Sequence, residues 1–122
     1  MSETTDLQVV IKSMELVKHC YKLTSNCNRY PKKYRFSLVD RIQQKSMDIY
    51  ESLLEANRTL LPQEMALRRN LQTKAITSCD ELCFYIELSK ELGLLETGSV
   101  AYWSKLTNDV KYMTIAWRKQ TR

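Results

Sequence analysis

Apolar residues recur in steps of three and four along almost the whole of this chain, and that period leaves little choice of architecture. Leu7, Val10, Met14, Val17 and Tyr21 make one stripe, widened by Ile11, Leu16, Cys20 and Leu23. Val39, Ile42, Ile49, Leu53, Ala56 and Leu60 make a second, a heptad in which Ser46 takes one inward slot. Phe36 and Leu38 precede it, and Tyr50, Leu54 and Leu61 broaden it. Leu67, Leu71, Ala75, Cys79, Leu82 and Ile86 form a third. Val100, Trp103, Leu106, Val110, Met113 and Trp117 form a fourth, with both tryptophans on the core side. Residues three and four apart share one face of an α-helix, so each run reads as an amphipathic helix.

Two glycines and two prolines in 122 residues are too few turn formers for a sandwich or a barrel. Those present fall between the stripes. Asp6 is expected to cap the first helix, and Asn28 with Pro31 marks the turn that follows. Ser37 and Asp40 echo a capping box, Pro62 closes the second helix, and Gly93 stands where a C′ glycine belongs. Leu94 and Leu95 then turn inward and Thr97 caps the last helix. Helices are expected over roughly residues 6–26, 36–61, 63–92 and 97–119, in one domain covering 1–122. Short connections between long amphipathic helices predict an all-α fold, an antiparallel up-and-down four-helix bundle with a slight left-handed supercoil.

The opening MSETTDLQ is polar and acidic, unlike a signal or transit peptide. No apolar run approaches the roughly 18 residues of a membrane span, so a cytoplasmic location without a membrane partner is expected. Cysteines at 20, 27, 79 and 83 form no CxxC pair and are expected to be reduced and mostly buried. Catalytic constellations are hard to assemble. His19 and Cys20 are adjacent, so on a helix they point about 100° apart, and a Cys–His pair would need a cysteine from another helix. Cys79 and Cys83 share a face, but zinc would want two further ligands. No glutamate has His three residues later, as a di-iron bundle requires, and no glycine-rich phosphate loop occurs. Asp48, Glu51, Glu55 and Arg58 look like a solvated, self-pairing face. The expectation is a protein that is not an enzyme and takes no cofactor or metal.

What remains is charge. Lys and Arg total 19 against 14 acids, a net +5, and residues 29–42 read RYPKKYRFSLVDRI. Arg29, Lys32, Lys33 and Arg35 sit in the first connection, with Arg41 and Lys45 just beyond. Arg68, Arg69 and Lys74 lie early in the third helix, and Arg118, Lys119 and Arg122 close the chain. The start of the third helix and the end of the fourth are expected at opposite ends of the bundle, which makes at least two basic clusters. Solubility alone would account for a solvated basic loop. A docking surface for nucleic acid or another polyanion would have the same composition.

Several segments resemble a known family. Val10-Ile11-Lys12, Tyr21-Lys22-Leu23, the run from Tyr30 to Leu38 (YPKKYRFSL) and Leu53-Leu54-Glu55-Ala56 are similar to recurring features of the accessory variability determinant (Avd) proteins of diversity-generating retroelements. The stretch from Glu87 to Leu95 looks like that family's exit from the third helix, and Trp117-Arg118-Lys119 like its terminus. The chain departs from the pattern at Ile115-Ala116, where many relatives carry two glycines.

The resemblance implies a non-catalytic homo-oligomer, a pentameric barrel in this family, encoded by a bacterium or a phage. Such a protein binds the retroelement's reverse transcriptase and engages template RNA or cDNA through a basic surface during mutagenic cDNA synthesis. On that reading Arg29, Lys32, Lys33, Arg35, Arg41, Arg68, Arg69, Lys74, Arg118 and Lys119 are binding residues. Tyr30 and Tyr34 would stack on unpaired bases, Pro31 would stiffen the connection, and Phe36 would pin it to the core. Met47, Tyr50, Tyr102 and Tyr112 stand just outside the core stripes and are candidate subunit contacts. The same short motifs also fit a related group, four-helix proteins encoded in intervening sequences of bacterial 23S ribosomal RNA genes. These would bind RNA or protein without a polymerase partner.

Overall fold

In the computed structural model, which describes residues 2–121, each apolar run forms one α-helix. These are α1 (Ser2–Thr24), α2 (Asp40–Asn57), α3 (Met65–Glu91) and α4 (Thr97–Gln120). Arg122 lies outside the described residues. Each helix packs on its neighbour in sequence, and α4 closes the ring against α1. Two side-chain contacts give the directions. Near the end of α1, the Cys20 sulfur accepts the indole N–H of Trp103, near the start of α4, at 3.3 Å. At the other end of the molecule, Asp6 of α1 meets Arg68 of α3, whose guanidinium lies over the Trp117 ring late in α4. Only alternating directions bring those pairs together, so the bundle is antiparallel and up-and-down.

The helix ends differ from expectation where no free cap is required. α1 begins at Ser2, so Asp6 falls inside the helix and is buried rather than capping it. A 3₁₀ turn (Lys32–Tyr34) and a π turn (Arg35–Val39) lead into α2, and Val39 already has helical dihedrals there. The chain arrives helical, which leaves the Ser37–Asp40 capping box nothing to cap. α2 stops at Asn57, several residues before Pro62, and Leu60 is 69% exposed. At α4 the N-cap position is Glu96, in extended conformation and without a side-chain cap, and Thr97 is the first helical residue. Gly93 behaves as its position requires. Its φ of +76° is left-handed, its N–H donates to the Lys90 carbonyl, and Leu94 N–H reaches back to Ser89, which closes α3 in a Schellman turn.

The core follows the predicted stripes on α2 and α3. Ile42, Ile49, Leu53 and Ala56 face Leu71, Ala75, Cys79, Leu82 and Ile86, with Ser46 buried among them. Leu67 is the exception on α3 and is exposed. On α1 the stripe is rotated. Val9, Ser13, Leu16 and Cys20 point inward, while Leu7, Ile11, Met14 and Tyr21 are exposed. The inward face is the one on which polar groups find partners, Asp6 with Arg68 and Cys20 with the Trp103 indole. On α4 the buried line is Trp103, Thr107, Val110, Thr114 and Trp117, while Leu106 and Met113 flank it. Each buried threonine gives its hydroxyl to the carbonyl four residues earlier, Thr107 to Trp103 at 2.9 Å and Thr114 to Val110 at 2.7 Å. That leaves only a methyl group to pack, so the threonine behaves as a small apolar residue.

Candidate functional site

The first connection is built to hold charge outward. Backbone N–H groups of Arg29 and Tyr30 both bond the Asn26 carbonyl, and Asn28 N–H bonds the Asn26 side chain at 2.9 Å, making a tight turn. Pro31 then sets the chain extended before the 3₁₀ turn. From this frame Lys32, Lys33, Arg35 and, one turn on, Arg41 project into solvent. None of the four pairs with a carboxylate among the described residues. Three lysines on the bundle body do pair: Lys45 with Glu81 at 2.8 Å, Lys111 with Asp80 at 2.7 Å and Lys105 with Asp109 at 2.9 Å. Arg29 is half-buried and donates to Ser99 Oγ at 3.0 Å, tying the connection to the start of α4.

Both aromatic roles expected in this segment change. Tyr30 is 3% exposed, and its hydroxyl donates to Ser89 Oγ at 2.8 Å. Burial pushes its pKa up to about 12, so it stays protonated and has no free ring face for a base. Phe36 is 80% exposed and pins nothing, whereas Leu38 and Val39 are buried. The wider π turn sets the register, turning Leu38 and Val39 inward and Phe36 out. Tyr34 is half-buried against the core, with the Lys33 ammonium 5.2 Å from its ring centre.

The second basic group is assembled from two segments that meet at the same end of the bundle, not at opposite ends. Alternating helix directions put the start of α3 beside the end of α4. There Arg69 Nη1 donates to the Thr121 carbonyl and Arg118 Nε to Thr73 Oγ1, the latter at 2.8 Å. Lys74 and Lys119 are exposed, and Arg69 and Arg118 are half-buried. A groove of about 340 Å³ runs between them, floored by Ile76 and Ile115 and edged by Arg118 and Lys119. Arg68 is no part of this surface. It is 7% exposed, 3.5 Å from Asp6, and its Nε donates to Thr59 Oγ1 at 2.8 Å. A guanidinium held on three sides inside the protein has nothing left to offer a phosphate.

The thiols are disarmed. Burial pushes Cys20 and Cys79 up to about 12 and raises Cys83, so none of the three is a thiolate near neutrality. His19 packs edge-on to Tyr102, ring centres 5.1 Å apart. Desolvation first, and Lys22 second, lower its pKa. Cys27 is exposed. Among the described residues no three His, Cys, Asp or Glu side chains gather as a metal-holding group, and no helix is long and apolar enough to cross a membrane.

The candidate subunit contacts divide into two places. Met47 and Tyr50, with Met14, Val17 and Lys18, line a groove of about 200 Å³ between α1 and α2. Tyr102 and Tyr112 are exposed on α4, across the bundle from α2. The exposed apolar face of α1 was not expected, although its spacing (7, 11, 14, 21) is that of a stripe. No protein-family model, curated protein or solved structure matches this chain.

Proposed function

We propose that this bundle is a non-catalytic accessory subunit of a diversity-generating retroelement, an Avd-like protein. It binds the reverse transcriptase and the template RNA or cDNA and supports mutagenic cDNA synthesis. One observation carries the reading: Lys32, Lys33, Arg35 and Arg41 project from one short, structured edge and none forms an ion pair with a carboxylate among the described residues, whereas Lys45, Lys105 and Lys111 on the bundle body do. A nucleic acid condenses counterions along its phosphates, and unpaired protein cations that take their place release them and gain affinity. The second cluster, Arg69, Lys74, Arg118 and Lys119, supplies a further basic surface at the opposite end.

Assembly belongs to the same proposal. Leu7, Ile11, Met14 and Tyr21 form an apolar face that a second copy would cover, continuous with the groove containing Met47 and Tyr50. The pentamer follows from the family resemblance.

The test is co-purification of the tagged protein with the reverse transcriptase encoded beside it, after nuclease treatment and at two salt concentrations. A stoichiometric complex that survives nuclease establishes the accessory role. No complex at either salt, from a folded oligomer, moves the protein to the intervening-sequence group, where RNA or protein is bound without a polymerase.

A further inference from the structure

Where α1 ends and the π turn leads into α2, the surface encloses a pocket of about 290 Å³. That is the small end of ligand pockets, with room for one compact group and not for an extended chain. Three charged side chains line it, Lys32, Arg35 and Asp40. Although they share one small pocket, no ion pair joins them. Gln43 closes one side. Its Nε2 donates to Thr24 Oγ1 at 3.0 Å, and that hydroxyl donates to the Cys20 carbonyl at 2.7 Å. The amide is thereby held with one of its two N–H donors engaged and its Oε1 left as an acceptor. Buried Tyr30 and Val39 supply apolar wall.

Two cations and two acceptors lining one pocket make a pattern with a specific complement: a ligand that is anionic and acceptor-only in one part and rich in N–H donors in another. A nucleotide has that polarity, phosphate at one end and base edge at the other. A carboxylate binds best to two adjacent N–H groups, which it takes up in bidentate fashion. Among the four bases only guanine presents two adjacent donors on its Watson–Crick edge, N1–H and the 2-amino group. The second amino hydrogen is then available to a neighbouring acceptor such as Gln43 Oε1. Single-stranded nucleic acid exposes that edge, whereas a duplex hides it.

We propose that this pocket holds one guanine nucleotide of a single-stranded nucleic acid, with its phosphate on Lys32 and Arg35 and its base edge on Asp40 and Gln43. The inference rests on reading the first connection as a nucleic-acid edge, and it adds base selection to that edge. Lys33 and Arg41, outside the pocket, serve neighbouring phosphates without regard to sequence.

The experiment compares two labelled single-stranded oligonucleotides by fluorescence anisotropy, one all adenine and one with a single central guanine. The guanine should tighten binding about tenfold. Asp40→Asn should abolish that difference while leaving the adenine oligonucleotide bound at least as tightly as by the wild type, because it removes the guanine-reading carboxylate and a negative charge from a basic edge. Lys32→Gln with Arg35→Gln should weaken both alike. A readout independent of any variant is alkylation of Cys27, which lines the pocket and is the exposed one of the four cysteines. The guanine oligonucleotide should slow that alkylation more than the adenine one at equal occupancy. Equal wild-type affinity for both oligonucleotides overturns the pocket assignment and leaves the basic edge standing. No binding of either overturns the edge and the pocket together. Guanosine monophosphate binding as tightly as the oligonucleotide overturns the strand in favour of a free nucleotide.

Discussion

The Asp6 carboxylate stands 3.5 Å from the Arg68 guanidinium, with both side chains almost sealed from solvent. The pair joins the start of α1 to the start of α3, and Arg68 adds a hydrogen bond to Thr59 and a face-on contact with Trp117. Removing one member of a buried pair leaves the other charge desolvated, which costs far more than losing a surface bridge. Arg68→Met should therefore destabilise the fold by about 3 kcal/mol in denaturant titration. Glu at Lys32, Lys33 or Arg35 should change stability by less than about 0.5 kcal/mol each. The triple replacement should nevertheless abolish reverse transcriptase or RNA binding. Intact binding by the triple variant would remove the first connection from the proposed site.

Gln72 is fully buried, and its Nε2 reaches Thr121 Oγ1 at 3.1 Å while its Oε1 has no donor. An unsatisfied buried acceptor costs more than one neutral hydrogen bond returns. Gln72→Met, close in shape, should raise the denaturation midpoint by about 1 kcal/mol equivalent. A lower midpoint would mean that the Thr121 contact matters more than the stranded oxygen.

Desolvation lowers the pKa of His19 from its ordinary 6.5, so the unfolded chain takes up its proton first as pH falls. This residue's contribution to stability is therefore complete above pH 6.5. It is lost progressively as pH drops below that value towards the folded pKa. His19→Gln should flatten the melting-temperature profile in that window. An unchanged slope would place the pH dependence elsewhere.

With Cys20 and Cys79 pushed up to about 12 by burial, a thiol reagent near neutral pH should find one fast cysteine, Cys27, in the native protein. Half-buried Cys83 should follow slowly, and the other two should react only on unfolding. Mass spectrometry of partially labelled protein gives the order directly.

Nucleic-acid binding through Lys32, Lys33, Arg35 and Arg41 should fall with salt, with a slope of log K against log salt of about −2, since Lys32 and Arg35 share one phosphate and Lys33 and Arg41 take one each. Lys33→Gln or Arg41→Gln should each make it shallower by about 0.7. A slope near zero would point to a non-electrostatic partner.

Much of this architecture could be read before folding. Four runs with helical period, few glycines and prolines, and Gly93 in a position that needs positive φ lead to the bundle and to its third exit. Local chemistry was enough there, because period and backbone permissiveness are properties of neighbouring residues. The candidate site was less accessible. Lys32, Lys33 and Arg35 stand where the charge run puts them, but Tyr30 and Phe36 exchange their expected surroundings. The π turn that decides which of them is buried has no signature in the residues themselves. Arg68 looked like its neighbour Arg69 until Asp6, Thr59 and Trp117 closed around it.

The face each helix turns inward belongs to the assembled fold. On α1 two stripes lie roughly two fifths of a turn apart, and hydrophobicity alone does not pick the inward one, since Leu7, Ile11, Met14 and Tyr21 are at least as apolar as Val9, Ser13, Leu16 and Cys20. The choice falls to the face whose polar members, Asp6 and Cys20, meet Arg68 and the Trp103 indole, because an unpartnered buried polar group costs more than a displaced leucine recovers. That selection leaves Leu7, Ile11, Met14 and Tyr21 outside. Contacts distant in sequence decided it, and they exist only once all four helices are in place.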